Sequence, residues 1–556
     1  MRPASPTPSR HSWLVDAGCL AVLLVMGWKL LHGLERAVDL GMWDEADYLR
    51  RGLTLSWAHL PAAEWGPLYS IWYSVLEGLW PAPVTLYYAN HQLLCILTTV
   101  GGYVFMRRMG ARPVLALLGS ALYLLSSAPH ILPRPTLLAL LVLQVALVVA
   151  SFLAVEGFWA VIAGGLLLAS FARPELFTAF LLATVLFVGF LVRRVLREGR
   201  ASRARGAALA VGFAVWVVVL LQVLGNPFGD TQGRRFYAFC QHFAVNHVKH
   251  THGSVDPWNE CPRVIRSVFG EVDTVGEALR SNPGAFVWHV GLNVKAFAGA
   301  SLALFSQGPG GQGPWDLARM GRLLLLLAMG WQGARLLPRW RGWRSVLAEP
   351  GLQRMAGVLA IVEVPTVMSA VLLMPRAHYL VIQGVLVIAL LALLGARVDT
   401  GETSRPVGWA LGGLLALGLV VLTPGTKDAQ PELVHLRTVR AIAALGLEER
   451  LAPGERVHLL EARGGYDAYL GRRYFPVLRE AREKTFGGLL REHQVTAILL
   501  DDALRQHRRF RQDADFQAFL KDPEAFGFTL TPLASSDAVL ALPSSWAPRL
   551  RAVHPE

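Results

Sequence analysis

This sequence is short of charge: only 17% of its 556 residues are Asp, Glu, Lys or Arg, against roughly 25% in soluble domains. The shortage is local as well as global. Val114–Leu125, Leu137–Val155, Leu176–Val192, Ala207–Leu224 and Leu380–Leu394 are apolar blocks without charged faces. They approach or reach the roughly 20 residues that a helix needs to cross a bilayer, which excludes an ordinary soluble fold. The net charge of +13 brings no groove-lining module or aromatic-interleaved platform, so nucleic-acid binding is excluded too. The basic residues sit instead in short turns between apolar blocks: Arg107, Arg108 and Arg112; Arg193 to Arg205; and Arg335, Arg339, Arg341 and Arg344. That is the positive-inside pattern of a membrane protein.

Other absences narrow the reading further. The basic start, Arg2 to Arg10, precedes an apolar run from Trp13 to about Leu31 with no small-residue cleavage site after it, so an uncleaved first span is expected. Lys29 and Glu35 near its end can snorkel or lie at the interface. Cysteines number four. Cys19 and Cys95 lie in apolar spans as small hydrophobes, while Cys240 and Cys261 share one long loop. That loop can be oxidised if it faces outward, but spacing supplies no geometry for a bond. No glycine-rich phosphate loop is present, and Gly464-Gly465 reads as a turn.

With the N-terminus inside, the apolar runs count out to a polytopic α-helical membrane protein with about 11 transmembrane helices. Residues 1–426 form the transmembrane domain, with outer loops 35–83 and 226–314. The Pro283–Ser306 stretch, broken by His289, Asn293 and Lys295, reads as interfacial and amphipathic. From Lys427 the pattern changes to helix–strand alternation, with strands expected at Arg456–Leu460, Val495–Leu500, Phe528–Leu530 and Ala538–Leu542. Helical stretches at Glu432–Leu445, Val477–Glu492 and Phe516–Phe526 alternate with them. Residues 427–556 thus read as a small extracytoplasmic α/β domain.

Chemistry-bearing residues gather on the outer side. Asp44 and Glu45 follow the first span closely. One of two adjacent carboxylates can take a proton from an acceptor hydroxyl or amine, and the two together can hold a divalent cation. The plain alternative is a helix start with Asp44 as cap. Arg173-Pro174-Glu175 falls at the outer end of two apolar blocks, where a fixed arginine can grip a lipid phosphate in a bidentate contact. An Arg173–Glu175 pair shaped by Pro174 is the structural alternative. Arg134, between two prolines, is a second candidate for the same anion. The run His242-Phe-Ala-Val-Asn246-His247-Val-Lys-His250-Thr-His252 lies in the long outer loop. It can contact sugar, phosphate or, if helical, a metal. Glu363, before Val364-Pro365 in an apolar span, must be neutral, paired or facing a cavity.

Trp43-Asp44-Glu45-Ala46-Asp47-Tyr48, followed by Trp65-Gly66-Pro67-Leu68-Tyr69, resembles the first outer loop of the GT-C glycosyltransferase superfamily. Protein O-mannosyltransferases and lipid A aminoarabinose transferases belong to it. The resemblance implies a GT-C-like membrane domain in the cell inner (plasma) membrane, with the active site extracytoplasmic. It implies a polyprenyl-phosphate sugar donor and a lipid, glycan or protein acceptor. Asp44 matches the catalytic base, with Glu45 beside it; Tyr48, Trp65 and Tyr69 would shape the sugar pocket. Trp65-Gly66 stands where relatives often carry His or a second Pro. A similar Arg-Pro-Glu recurs in the superfamily, which makes Arg173 a donor-phosphate ligand. Pro375-Arg376-Ala377-His378-Tyr379 is similar to a late Pro-then-Arg-Tyr element, with Arg376 two residues earlier than in that element and His378 before the tyrosine. Arg376 and His378 would then join the phosphate site, and Tyr379, His242, Asn246 and His247 the sugar or acceptor site. A transporter or flippase of lipid-linked sugars is the alternative; it predicts internal repeats and broken helices, neither of which is evident.

Overall fold

The computed structural model describes residues 10–58, 60–197, 200–229, 233–306, 317–336, 348–396, 405–426, 433–478, 485–534 and 536–546. The N-terminal basic residues before Arg10, the basic residues Arg339, Arg341 and Arg344, and the expected start of the C-terminal domain at Lys427 lie outside the described residues. So does the middle of the expected Val477–Glu492 helix.

The chain divides into two compact units. One comprises residues 1–31, 61–68 and 93–425; the other comprises 32–60, 69–92 and 426–556. The division cuts across the sequence order, because most of the first outer loop belongs with the C-terminal segment.

The first unit is helical. Among the described residues, five helices are long and apolar enough to cross a membrane: Trp13–Arg36, Leu176–Arg197, Arg203–Leu224, Pro350–Leu372 and Ala377–Gly395. Shorter apolar helices include Pro113–Leu125, Pro135–Ala150 and Val155–Ser170. The chain is therefore an integral membrane protein, and the fuller count of about 11 spans remains an expectation from hydropathy. Proline opens many of these helices, at Pro113, Pro135, Pro283 and Pro350, because its fixed φ suits the first turn and its missing N–H is not needed there.

Small residues let the helices approach: a Cβ on Gly165 would lie 2.5 Å from that of Ala146, the close packing that substitutes for a hydrophobic drive within lipid. Lys29 donates to the carbonyls of Val420 and Val421 at 3.0 and 3.2 Å, closing the end of the Arg405–Leu422 helix. Pro283–Ser306 is one continuous helix, packed on Pro350–Leu372 and Ala377–Gly395. Gln383, with its amide nitrogen turned toward Glu363, donates to both carboxylate oxygens at 2.9 and 2.8 Å. The Glu363 carboxylate is thus engaged across two helices.

The second unit is built on a mixed sheet of β1 (Val457–Leu460), β2 (Tyr474–Pro476), β3 (Ala497–Leu500), β4 (Phe528–Pro532) and β5 (Val539–Pro543), in the order β2-β1-β3-β5-β4. β1 runs parallel to β2 and β3, while β5 pairs antiparallel with β3 and β4. Leu460, Phe486, Ile498, Leu504, Phe516 and Phe519 form part of its core. Four strands match the expected runs to within a residue or two at each end. β2 was not expected, because three residues ending in proline carry no alternation to read. The expected helix from Val477 is described only from Phe486 to Glu492.

Candidate functional sites

In the second unit, Asp44 opens the helix Asp44–Leu53. Adjacent helical residues point about 100° apart, and the two carboxylates part accordingly. Glu45 is 1% exposed and accepts from the hydroxyls of Tyr69 and Tyr73, both at 2.6 Å. Asn90 donates to those same hydroxyls at 2.7 and 2.9 Å, and Trp72 donates to Asn90 at 2.8 Å. Tyr48 packs edge-on against Tyr69 with centroids 5.2 Å apart. Glu45, Tyr48 and Tyr69 therefore form one buried framework. Asp44 instead is exposed, and among the described residues nothing engages its carboxylate. Its place in the first turn sets an anion against the positive end of the helix.

The segment leading to Asp44 is fastened throughout. Asp39 accepts from the N–H groups of His435 and Leu436 at 2.9 and 2.8 Å, which caps the Val434–Ala443 helix from outside its own chain segment. The Tyr87 hydroxyl accepts the Gly41 N–H at 3.0 Å, while Tyr469 donates to the Gly41 carbonyl at 2.5 Å. Trp43 has φ 59° and ψ −115°, a conformation that costs a non-glycine residue about 1–3 kcal/mol. It is held there by its N–H, which donates to the Gly464 carbonyl at 2.9 Å, while its carbonyl accepts from Asp47 at 2.9 Å. Farther along the helix, Arg51 pairs with Asp47 at 2.8 Å, and Arg50 bridges Asp47 and Asp467.

A separate cluster lies in the first unit. The Trp65-Gly66-Pro67-Leu68 element docks on the turn before Arg173: Leu68 N–H donates to the Phe171 carbonyl at 3.0 Å. Gly66 has φ +65°, and a Cβ there would lie 2.8 Å from the Ala172 carbonyl oxygen, so only glycine fits this approach. Two motifs a hundred residues apart in sequence thus meet. Arg173, 8% exposed, donates from Nε to Glu175 at 2.8 Å, and its guanidinium lies 4.9 Å from the Tyr379 ring centre. Arg376 immediately precedes the Ala377–Gly395 helix, lies 4.8 Å from the centre of the Trp258 ring, and pairs with no carboxylate among the described residues. Both arginines lie within electrostatic reach of His378, and Arg234 joins them around Tyr379. Arg234 also covers Trp65 at 4.0 Å.

His242 lies on the helix Arg234–Thr251, which the disulfide Cys240–Cys261 ties to the helix beginning at Cys261. Its Nδ1 donates to the Ala238 carbonyl at 2.7 Å, and the ring meets Trp258 edge-on at 5.9 Å. Nε2 is buried and has no hydrogen-bond partner among the described residues. Burial, with the Arg376 charge, pushes the imidazole down to about 4, so at neutral pH Nε2 presents a lone pair. Asn246 sits elsewhere, donating to His289 and Asn293 at 3.0 Å each, and Asn293 in turn ties to the carbonyls of Val371 and Leu373 at 2.9 Å each. His247 stacks on Phe243. Arg134 is fully buried, within electrostatic reach of His130. A mostly apolar cavity of about 350 Å³, lined by Leu122, Phe305, Met329, Leu380, Gln383 and Leu391 among others, opens in this same unit.

Sequence reasoning did not single out Arg234, Trp258 or Tyr73. Arg234 was hidden in a loop with several basic and aromatic residues, and Tyr73 looked like one more apolar helix residue. A helical pattern that places Tyr69 and Tyr73 one turn apart was the available signal.

No known family profile matches this sequence, and no curated protein sequence matches it either. Among solved structures it is similar to ArnT from Cupriavidus metallidurans, whose crystal structure holds undecaprenyl phosphate. The alignment covers 96% of this chain and 98% of that one, at 14% identity and a TM-score of 0.34. A likeness at that level carries neither fold nor function over to this chain.

Proposed function

We propose that the protein is a membrane glycosyltransferase that moves a sugar from a polyprenyl-phosphate donor to an extracytoplasmic lipid, glycan or protein acceptor. The observation that carries this reading is the division of labour between adjacent carboxylates. Asp44 is presented unengaged at a helix start behind a strained Trp43, while Glu45 is buried among tyrosine hydroxyls. An unengaged carboxylate on a fixed support suits a general base.

In this reaction Asp44 takes the proton of the acceptor hydroxyl or amine as that group bonds to the anomeric carbon. The bond between that carbon and the phosphate oxygen breaks, and its electron pair leaves with the carrier phosphate. Direct displacement inverts the anomeric centre. Arg173 and Arg376 of the first unit, with His378 beside them, are the groups that the sequence resemblance implies for stabilising the charge gained by the phosphate. His242 Nε2 accepts a hydrogen bond from a sugar hydroxyl, and the apolar cavity takes part of the prenyl chain. Glu45, Tyr48 and Tyr69 act as the support of Asp44 rather than as ligands. Glu363, the one feature suited to a proton-coupled transporter, is occupied by Gln383, so no observation favours the flippase reading.

The test is sugar release from radiolabelled polyprenyl-phosphate hexoses and pentoses, comparing purified wild type with Asp44→Asn. Turnover should fall by about 100-fold or more with the unfolding midpoint unchanged. Full activity in the variant would remove Asp44 from the mechanism.

A further inference from the structure

The turn Arg463-Gly464-Gly465 packs directly against the helix start that carries Asp44. A Cβ on Gly464, whose φ is +71°, would lie 2.8 to 3.1 Å from three atoms of the Trp43 ring. One on Gly465 would lie 2.6 Å from Ala46 Cβ and 3.1 Å from Met42 Sδ. The Gly464 carbonyl also receives the Trp43 N–H. The turn therefore grips the residues on both sides of Asp44, and its conformation sets where that carboxylate stands.

The side chain that binds all three amides of the turn is Glu461, just after β1. It is 4% exposed. Its Oε2 accepts the N–H groups of Arg463 and Gly464, the latter at 2.8 Å, and its Oε1 accepts that of Gly465 at 2.8 Å. Both oxygens face backbone donors, an arrangement made for a carboxylate. A proton on either oxygen would confront an N–H and displace it, since the protonated group is itself a donor.

We propose that Glu461 is a positioning residue for Asp44: its carboxylate builds the Arg463–Gly465 turn, and the turn fixes Trp43 and the start of the Asp44–Leu53 helix. The inference rests on the reading of Asp44 as the base. The chain of contacts is continuous, from Glu461 to three consecutive amides, from Gly464 to Trp43, and from Gly465 to Met42 and Ala46.

The same geometry makes the site responsive to pH. Burial pushes the Glu461 carboxyl up to about 7, against the lowering effect of its three N–H donors and with a further rise from Asp467. The other charged or titratable groups around it are accounted for: Arg463 pairs with Asp501 at 3.1 Å, Asp467 pairs with Arg50 at 3.1 Å, and Tyr466 bonds to His435 at 2.9 Å. Below the Glu461 pKa one oxygen carries a proton and the turn loses a bond; above it all three amides are held. Turnover should therefore rise as pH rises through about 7.

The experiment compares wild type with Glu461→Gln in detergent, by two readouts. The first, which needs no substrate, is amide hydrogen exchange of the 41–48 segment, corrected for intrinsic rate, from pH 5.5 to pH 8.5 (an operating range of about 3 units around the Glu461 transition). Wild-type protection should increase by about 10-fold across this range, and Glu461→Gln should stay low and flat. The second is turnover of the radiolabelled donors. The variant should show kcat lowered by about 10-fold or more, KM little changed, and no limb near neutrality, at an unchanged folded fraction. Equal protection and equal pH profiles in the two proteins would overturn the inference. Asp44→Asn separates the two failures: if it is inactive while Glu461→Gln behaves as wild type, only the positioning role falls. If Asp44→Asn is fully active, the base assignment falls with it.

Discussion

Adjacent residues of one type diverge in role here because a helix turns them to different surroundings. Asp44 and Glu45 differ by a methylene, yet one is left to solvent and the other receives two tyrosine hydroxyls. A carboxylate buried at 1% exposure is tolerated only because such charge-assisted bonds compensate its lost hydration. Truncating Glu45 to Ala would leave the hydroxyls of Tyr69 and Tyr73 without their common acceptor. The expected loss is about 2–3 kcal/mol of stability, measured as a lowered unfolding midpoint in detergent. Asp44→Ala should leave that midpoint in place, and equal destabilisation by both would contradict the assigned division. His242 and Asn246 make the same point on another helix: four residues apart, one keeps a free ring nitrogen while the other is absorbed into a structural network.

Elements meet in this protein through glycine. Gly66 sits in the left-handed region against the Ala172 carbonyl, and Gly464 does so against the Trp43 ring. At each position both φ and space exclude a side chain. Gly66→Ala should cost about 1–3 kcal/mol and push the Phe171–Arg173 turn away from its place. The expected signature is a raised KM for the polyprenyl-phosphate donor alongside a lower unfolding midpoint. A variant with the reduced midpoint and an unaltered KM would show that the turn serves stability and not the phosphate. The disulfide between Cys240 and Cys261 has a comparable positional effect, since Trp258 lies in the loop it closes and forms a face for both His242 and Arg376.

At the scale of the whole molecule, the basic turns and apolar helices imply an orientation. Arg205 is exposed in the first turn of the Arg203–Leu224 helix, and Trp57 is 70% exposed in the segment after the Trp13–Arg36 helix. The positive-inside rule puts Arg205 in the cytoplasm and Trp57 outside. A membrane-impermeant maleimide should label Trp57→Cys in intact cells and Arg205→Cys only after permeabilisation; the free cysteines Cys19 and Cys95 are buried. The opposite pattern would place the Asp44 loop on the cytoplasmic side and end the proposal of an extracytoplasmic reaction.

Much of this architecture is readable from composition and period, because both are local. Long uncharged runs can satisfy their backbone in lipid only as helices, and short β-branched or leucine-rich runs between turn residues become strands of a small sheet. The Asp44-Glu45 pair, Arg173-Pro174-Glu175 and Pro375–Tyr379 were visible as motifs for the same reason. Nothing local tells which of two neighbouring carboxylates will be buried, since the answer lies with Tyr69, Tyr73 and Asn90 farther along the chain. Nor does local pattern reveal that residues 32–60 pack into one unit with the C-terminal segment, or that Glu461 supports a turn against Trp43. Those outcomes depend on pairing polar groups that are distant in sequence. Residue order determined the helices, strands and reactive groups of this protein; only the tertiary structure, by deciding which groups lose water and must find partners, determined which of them remain available for chemistry.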